Sequence, residues 1–276
     1  MGKTILCDMH VHSQSSHDSA APVIETAKAC AEKGISVFAV TDHCDIQYYD
    51  TQNVPSIVNS SVLETQDAAR QFEGKVNILT GIEIGEGIWH IPHTQEIIAS
   101  HKLDVVISSV HAVRYKDYTD PYSTIDFSKM EKGDLDGYLR AYFDDLYEMV
   151  STLDFDIMAH LTCPLRYING KYSLGVDVTR YKAQIDKILD LVIKKGVSME
   201  INTSGVGTAY GIYMPDPWII KVYREKGGYL VTLGSDAHTP ENAGKGFDSA
   251  ISLLKEYGFD SYYYYQDRKP VRIEIK

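Results

Sequence analysis

Ten histidines are spread along the chain, and where they fall says more than how many there are. His10 and His12 stand two residues apart, and so do Asp236 and His238. In an extended backbone residues i and i+2 face the same side, so each pair can aim two ligand atoms at one point. His43, His111 and His160 each follow a short apolar run, and Glu83 lies near the end of another. Imidazole and carboxylate donors without thiolate suit zinc, manganese or iron, and the donor types do not choose among them. Two or three divalent ions held in this way acidify a water, neutralise phosphoryl oxygens and stabilise a leaving alkoxide. The chemistry implied is metal-assisted hydrolysis. It requires no side-chain nucleophile, and the chain has no G-x-S-x-G elbow.

Those side chains need elements to position them. Apolar, β-branched runs recur at 4–7, 35–41, 76–84, 103–110, 155–159, 197–201 and 229–233. Each is too short and too continuously apolar for a sheet with one wet face. Helical patterns fill the gaps: 22–33 opens on Pro22 and stops at Gly34, and 135–153, 181–195, 216–226 and 241–257 repeat apolar residues at spacings of three and four. Strands alternating with helices predict a parallel α/β sheet, and seven such units without a dinucleotide fingerprint favour a barrel. Six of the seven runs deliver a ligand-type residue at or just beyond their C-terminal ends, the face on which such barrels build their sites. His90, His93 and His101 fall outside this pattern and are read as surface residues, with His90 the first exception. Gly81, Gly85 and Gly87 have the wrong spacing for a phosphate loop and are read as turn residues. Cys44 is read as a packed small residue, and Tyr262 to Tyr265 as a half-exposed β segment.

Composition narrows the function classes. The 276 residues include 27 basic and 38 acidic side chains, a net charge of −11. Such a balance argues against duplex nucleic acid as a partner, because phosphate backbones select Lys and Arg stripes. No run approaches the roughly 20 apolar residues of a membrane span, and no secretory pattern is read at the start. Cys7, Cys30, Cys44 and Cys163 are scattered without a C-x-x-C pair, which fits free thiols in a reducing compartment. The expectation is one cytoplasmic domain over 1–276, away from nucleic acid and membrane.

Several segments also resemble a known family. Asp8-Met9-His10-Val11-His12-Ser13, with His17-Asp18-Ser19 after it, is similar to the opening motif of the polymerase and histidinol phosphatase (PHP) superfamily. Thr41-Asp42-His43, Gly81-Ile82-Glu83, Ser109-Val110-His111 and Gly234-Ser235-Asp236-Ala237-His238 resemble its later motifs, in family order. Ala159-His160-Leu161, Pro164-Leu165-Arg166-Tyr167 and Glu200-Ile201-Asn202-Thr203-Ser204-Gly205 look like the histidinol-phosphate phosphatase branch. That branch usually continues with Leu-Arg, where this chain has Val206-Gly207.

The resemblance implies a distorted seven-stranded (β/α)7 barrel, a trinuclear metal site and a small phosphomonoester substrate. Carried over, one metal takes His10, His12, Glu83 and Asp236. A second shares Glu83 with His111 and His160, and a third takes His17, His43 and His238, with Asp18 the alternative to His17. Asp8 and Asp42 become carboxylates that orient neighbouring histidines. Glu83, Asp236 and His238 are then the catalytic residues, with His238 or a metal-bound water the proton donor to the leaving group. Arg166 and Arg114 are the candidate phosphate-binding cations. Other PHP phosphoesterases would keep these ligands and change the pocket loops around 45–60, 112–130 and 203–218. An amidohydrolase barrel would place its bridging group after the fourth strand, and a non-catalytic module would lack ligands.

Overall fold

In a computed structural model, which describes residues 5–276, eight parallel strands form the centre of the molecule. They are β1 (Leu6–Val11), β2 (Ile35–Val40), β3 (His43–Asp45), β4 (Asn77–Gly85), β5 (Val105–Ser109), β6 (Ile157–Met158), β7 (Ser198–Asn202) and β8 (Val231–Gly234). Seven of them follow one another around the sheet in the order β1-β2-β4-β5-β6-β7-β8. The short β3 resumes the line of β2 after Thr41-Asp42 and pairs only with β4, His43 opposite Glu83. Closure is achieved between β1 and β8: His12 N donates to Ala237 O at 2.9 Å, and Asp236 N to His10 O at 2.8 Å. The fold is the distorted seven-stranded α/β barrel expected, with Thr4 of the first expected run outside the described residues.

Helices cover the outside: α1 (Val23–Lys33), α2 (Val54–Gln71), α3 (Ile91–Ser100), α4 (Lys132–Thr152), the one-turn α5 (Cys163–Leu165), α6 (Lys182–Lys195), α7 (Pro217–Glu225) and α8 (Phe247–Glu256). The strands are buried almost throughout because α-helical crossovers lie over them, which is why they read as continuous apolar runs. Helix α1 ends on Gly34 in the left-handed region, as its sequence predicts. The helix expected over 241–257 begins only at Phe247, because Gly244 and Gly246 hold positive φ angles of 67° and 84°. Helix α2 begins within the segment expected as a 45–60 loop and runs on to Gln71, an element the sequence reading does not predict.

The tyrosine run forms β9 (Ser261–Gln266), paired antiparallel with β10 (Lys269–Glu274). This hairpin closes the barrel's N-terminal end. Tyr262 OH accepts from Cys7 N at 3.3 Å, Tyr265 OH bonds Ser198 Oγ at 2.9 Å, Asp267 N donates to Asp104 Oδ1 at 3.0 Å, and Arg268 pairs with Asp156. Tyr262 and Tyr265 are buried while Tyr263 and Tyr264 are half-buried, matching the sequence expectation. With that end sealed, the open cavity lies at the C-terminal ends of the strands. No helix among the described residues is long and apolar enough to cross a membrane.

Candidate metal centre

Glu83, in β4, is fully buried beneath a cavity of 690 Å³, behind its neighbours His43, His111 and His160, which line it. Its Oε2 lies 3.4 Å from His10 Nε2, 3.7 Å from His12 Nε2 and 2.9 Å from His43 Nδ1. Its Oε1 lies 3.2 Å from His111 Nε2 and 3.0 Å from His160 Nε2. One carboxylate therefore faces two groups of imidazoles, one with each oxygen. Asp236, past β8, reaches the first group, with Oδ1 at 3.2 Å from His12 Nε2 and 3.8 Å from His10 Nε2. At the rim, Asp18 Oδ2 lies 3.0 Å from His238 Nε2, and Oδ1 lies 3.5 Å from His43 Nε2.

The structure thus gathers His10, His12, His43, Glu83, His111, His160, Asp236 and His238 into one cluster. His17 is exposed, with its ring 5.1 Å from that of His43, and Asp18 is the neighbour that reaches between His43 and His238. Arg166 lines the cavity and donates to Ser204 Oγ at 3.0 Å. Arg114 does not reach the cavity: its guanidinium stacks 4.4 Å from the Trp89 ring, on the outside of the β5 end. His90 caps α3 by accepting from His93 N at 3.1 Å, and His93 stacks on Tyr49, so neither lines the cavity.

Second partners fix the rings. His10 Nδ1 donates to Glu200 Oε1 at 2.7 Å, leaving Nε2 as the inward lone pair. Asp45 does the same for His111 Nδ1 at 3.2 Å. His12 Nδ1 meets Ser16 Oγ at 3.0 Å, and Ser16 in turn donates to Asp42 Oδ1 at 2.7 Å. His238 Nδ1 lies 2.9 Å from the Asp236 carbonyl, which can only accept, so a neutral His238 presents Nε2 without a proton. Asp8 binds Ser235 N at 2.9 Å, Ser235 Oγ at 2.6 Å and Gly244 N at 2.9 Å; it clamps the β8 end and touches no imidazole nitrogen. Glu200, Asp45 and Ser16 had been given no role from sequence. Gly234 is required beside this network, since a Cβ there would collide with the Glu200 carboxylate and with His10 Cβ.

The electrostatics follow from the crowding. Burial opposes ionisation of Glu83, yet His10, His111 and His43 hold its carboxyl well below the ordinary range. Burial likewise opposes charging of His10 and His43. Glu200, Glu83 and Asp236 nevertheless hold His10 well above its usual value, and Glu83 with Asp18 carries His43 up to about 10. His12 goes down to about 3, through burial and then the neighbouring His43 and His238. These residues fit divalent cations. His43 Nδ1, Glu83 Oε2 and His238 Nε2 are buried without a hydrogen bond, and His10 Nε2 faces His12 Nε2 at 3.1 Å. Lone pairs that converge on shared space in this way leave room for cations between them.

Comparison with known proteins agrees with the geometry. Over 272 residues the chain is 26% identical to a protein of Thermotoga maritima named probable histidinol-phosphatase, covering 98% of this chain and 100% of that one. It is 24% identical to the histidinol-phosphatase of Lactococcus lactis over 91% of each chain. The crystal structure of the Lactococcus lactis histidinol phosphate phosphatase, complexed with zinc, L-histidinol and phosphate, superposes with a TM-score of 0.80 at 20% identity. That superposition covers 96% of this chain and 98% of the other, and it shows the shared fold. A family model described as PHP domain matches residues 8–204, which include every cluster residue up to His160, and the chain belongs to that family.

Proposed function

We propose that this chain is a metal-dependent phosphomonoesterase that hydrolyses L-histidinol phosphate to L-histidinol and phosphate, a step of histidine biosynthesis. The observation that carries the reading is Glu83, which offers one oxygen to the His10, His12 and His43 side and the other to His111 and His160. The substrate reading is supported by relatives named probable histidinol-phosphatase and histidinol-phosphatase, which match over 91% or more of each chain. We assign three ions, zinc, manganese or iron, to the sets His10/His12/Glu83/Asp236, Glu83/His111/His160 and Asp18/His43/His238, with His17 beside the last.

When bound, divalent ions in this position acidify water towards neutrality and neutralise phosphoryl charge. The side chains prepare that site. Glu83 fixes the separation of the first two sets, and Asp236 completes the first. Glu200 and Asp45 hold His10 and His111 with their Nε2 lone pairs inward. His238 is assigned as a ligand through Nε2; with Nδ1–H committed to the Asp236 carbonyl, a metal on Nε2 would leave it no proton for the leaving group. Arg166, held by Ser204 at the cavity wall, presents its guanidinium to a phosphoryl oxygen. Tyr48, Tyr122 and Tyr167 supply the aromatic wall for the organic part of the ester.

The test is kcat/KM for L-histidinol phosphate with metal-reconstituted protein and a chelated control. The expected value is near or above ~10⁴ M⁻¹s⁻¹ and is lost on chelation. Metal-dependent release of phosphate from other monoesters, with histidinol phosphate far below that value, would move the substrate elsewhere within the family.

A further inference from the structure

We propose that Lys245 is a substrate-binding residue whose ammonium takes a non-bridging oxygen of the phosphoryl group. The inference rests on the phosphomonoesterase reading above. Apart from imidazoles, the cationic side chains lining the cavity among the described residues are Arg166 and Lys245. The same cavity exposes Asp18, Asp45, Asp120 and Asp236, in a chain of net charge −11. A dianionic ester entering it therefore depends on whatever fixed cations the walls provide.

The two cations differ in how they are engaged. Arg166 is spent in part on Ser204 Oγ at 3.0 Å, and its guanidinium lies 5.9 Å from the Tyr167 ring. Lys245 has no side-chain hydrogen bond or ion pair among the described residues. Its backbone, by contrast, is pinned. Thr203 Oγ1 donates to Lys245 O at 2.6 Å, Lys245 N donates to Asn242 O at 3.0 Å, and the adjoining Gly244 N donates to Asp8 Oδ2 at 2.9 Å. Lys245 is exposed at the cavity wall, but its backbone is held, so its free ammonium is presented to the cavity from a fixed point.

The direction of the side chain is given by Gly207. A Cβ placed there would lie 3.6 Å from Lys245 Cε and 3.8 Å from Lys245 Nζ. The ammonium therefore reaches across to the 203–207 turn, the turn whose Ser204 is held by Arg166. Gly207 has φ +86°, a conformation L side chains rarely adopt, and its lack of a side chain leaves the space beside the turn to Lys245. Two cations from separate loops thus meet one turn of the cavity wall, next to Asp236. Arg166 suits bidentate contact, and Lys245 a single charge-assisted bond.

The experiment uses metal-loaded protein and calorimetric titration of inorganic phosphate, which needs no turnover. Lys245→Ala should weaken the phosphate Kd about tenfold, the scale of one hydrogen bond to a charged group. Lys245→Arg should stay within about threefold of wild type. Bound metal per chain and the Kd of L-histidinol should be unchanged in both variants, and KM for p-nitrophenyl phosphate should follow the phosphate Kd. An unchanged phosphate Kd in Lys245→Ala would overturn the proposal. So would parallel losses for phosphate and L-histidinol, or loss of metal, since Lys245 would then be supporting the site and not the anion. Wild-type protein that cleaves p-nitrophenyl phosphate but not L-histidinol phosphate would remove the substrate reading and leave Lys245 to be judged on the phosphate Kd.

Discussion

Glu200 joins three parts of the centre with one carboxylate: it accepts from His10 Nδ1 at 2.7 Å, His160 N at 2.8 Å and Asn202 Nδ2 at 3.1 Å. Through the second bond it braces His160 in a backbone conformation with φ 21°, which a non-glycine residue holds only when its surroundings enforce it. Glu200→Gln keeps the shape but loses the charge that sets the His10 ring. Metal affinity should fall about 10- to 100-fold with the fold intact, as read by competition with a chelator. Affinity at the wild-type level would show Glu200 to be only packing. A second prediction separates two adjacent residues. Asp18→Asn should lower bound metal by about one ion per chain, because Asp18 spans His43 and His238, whereas His17→Ala should leave the count unchanged. The reverse result would return His17 to the third set. Sequence could not weigh these neighbours, since both are ligand types and only the direction of the loop distinguishes them. For Glu200 there was a cue: a carboxylate standing inside an otherwise apolar strand run.

At the scale of elements, the strands and most helices were legible because burial on both faces writes continuous apolar runs and helices write a three-four repeat. Helix α2 escaped because its inward stripe includes polar residues. Val54, Val58 and Val62 alternate there with Ser61 and Thr65, and Ser61 Oγ is turned inward to Asp42 Oδ2 at 2.5 Å. A serine that satisfies a buried carboxylate looks, in sequence, like a solvated one. The β9–β10 hairpin makes its own prediction. Burial pushes Asp156 up to about 6 even with Arg268 beside it. Because that folded value lies above the ordinary 3.8, the carboxyl costs no stability at low pH; the cost accrues as pH rises from 3.8 to about 6 and is complete above that. Arg268→Ala removes the compensating charge. Its destabilisation should be small at pH 5 and reach roughly 2 kcal/mol at pH 7.5, visible as a Tm drop of several degrees. Equal losses at both pH values would show that Arg268 acts through packing alone.

For the whole molecule, the centre couples metal, protons and stability. His10, His43 and His111 are held above their usual pKa by the surrounding carboxylates, chiefly Glu200 for His10 and Glu83 for the other two, against the opposing effect of burial. The carboxylates thereby favour the charged imidazoles in the metal-free site, and an entering cation competes with the protons they hold. Metal binding should release protons and strengthen as pH rises, measurable by calorimetry in two buffers of different ionisation enthalpy. Added zinc or manganese should raise Tm and a chelator should lower it, because the ions bind only the folded arrangement. Metal uptake with no proton release would mean that these imidazoles are neutral in the free protein.

Sequence by itself determined the barrel and the ligand types, because strand burial and the placement of ligands after strands are local properties written in residue order. His10 with His12, and Asp236 with His238, could be read as pairs since spacing within one strand fixes their direction. What only the tertiary structure decided depends on contacts between distant segments. Such contacts made Asp18 the residue that spans His43 and His238, and tied Glu200 to His10 across 190 positions. They also took Arg114 away to Trp89 and brought Lys245 over Gly207. In each case the side chain's role is set by which other loop it meets, and strand pairing around the barrel, not residue order, fixes that meeting.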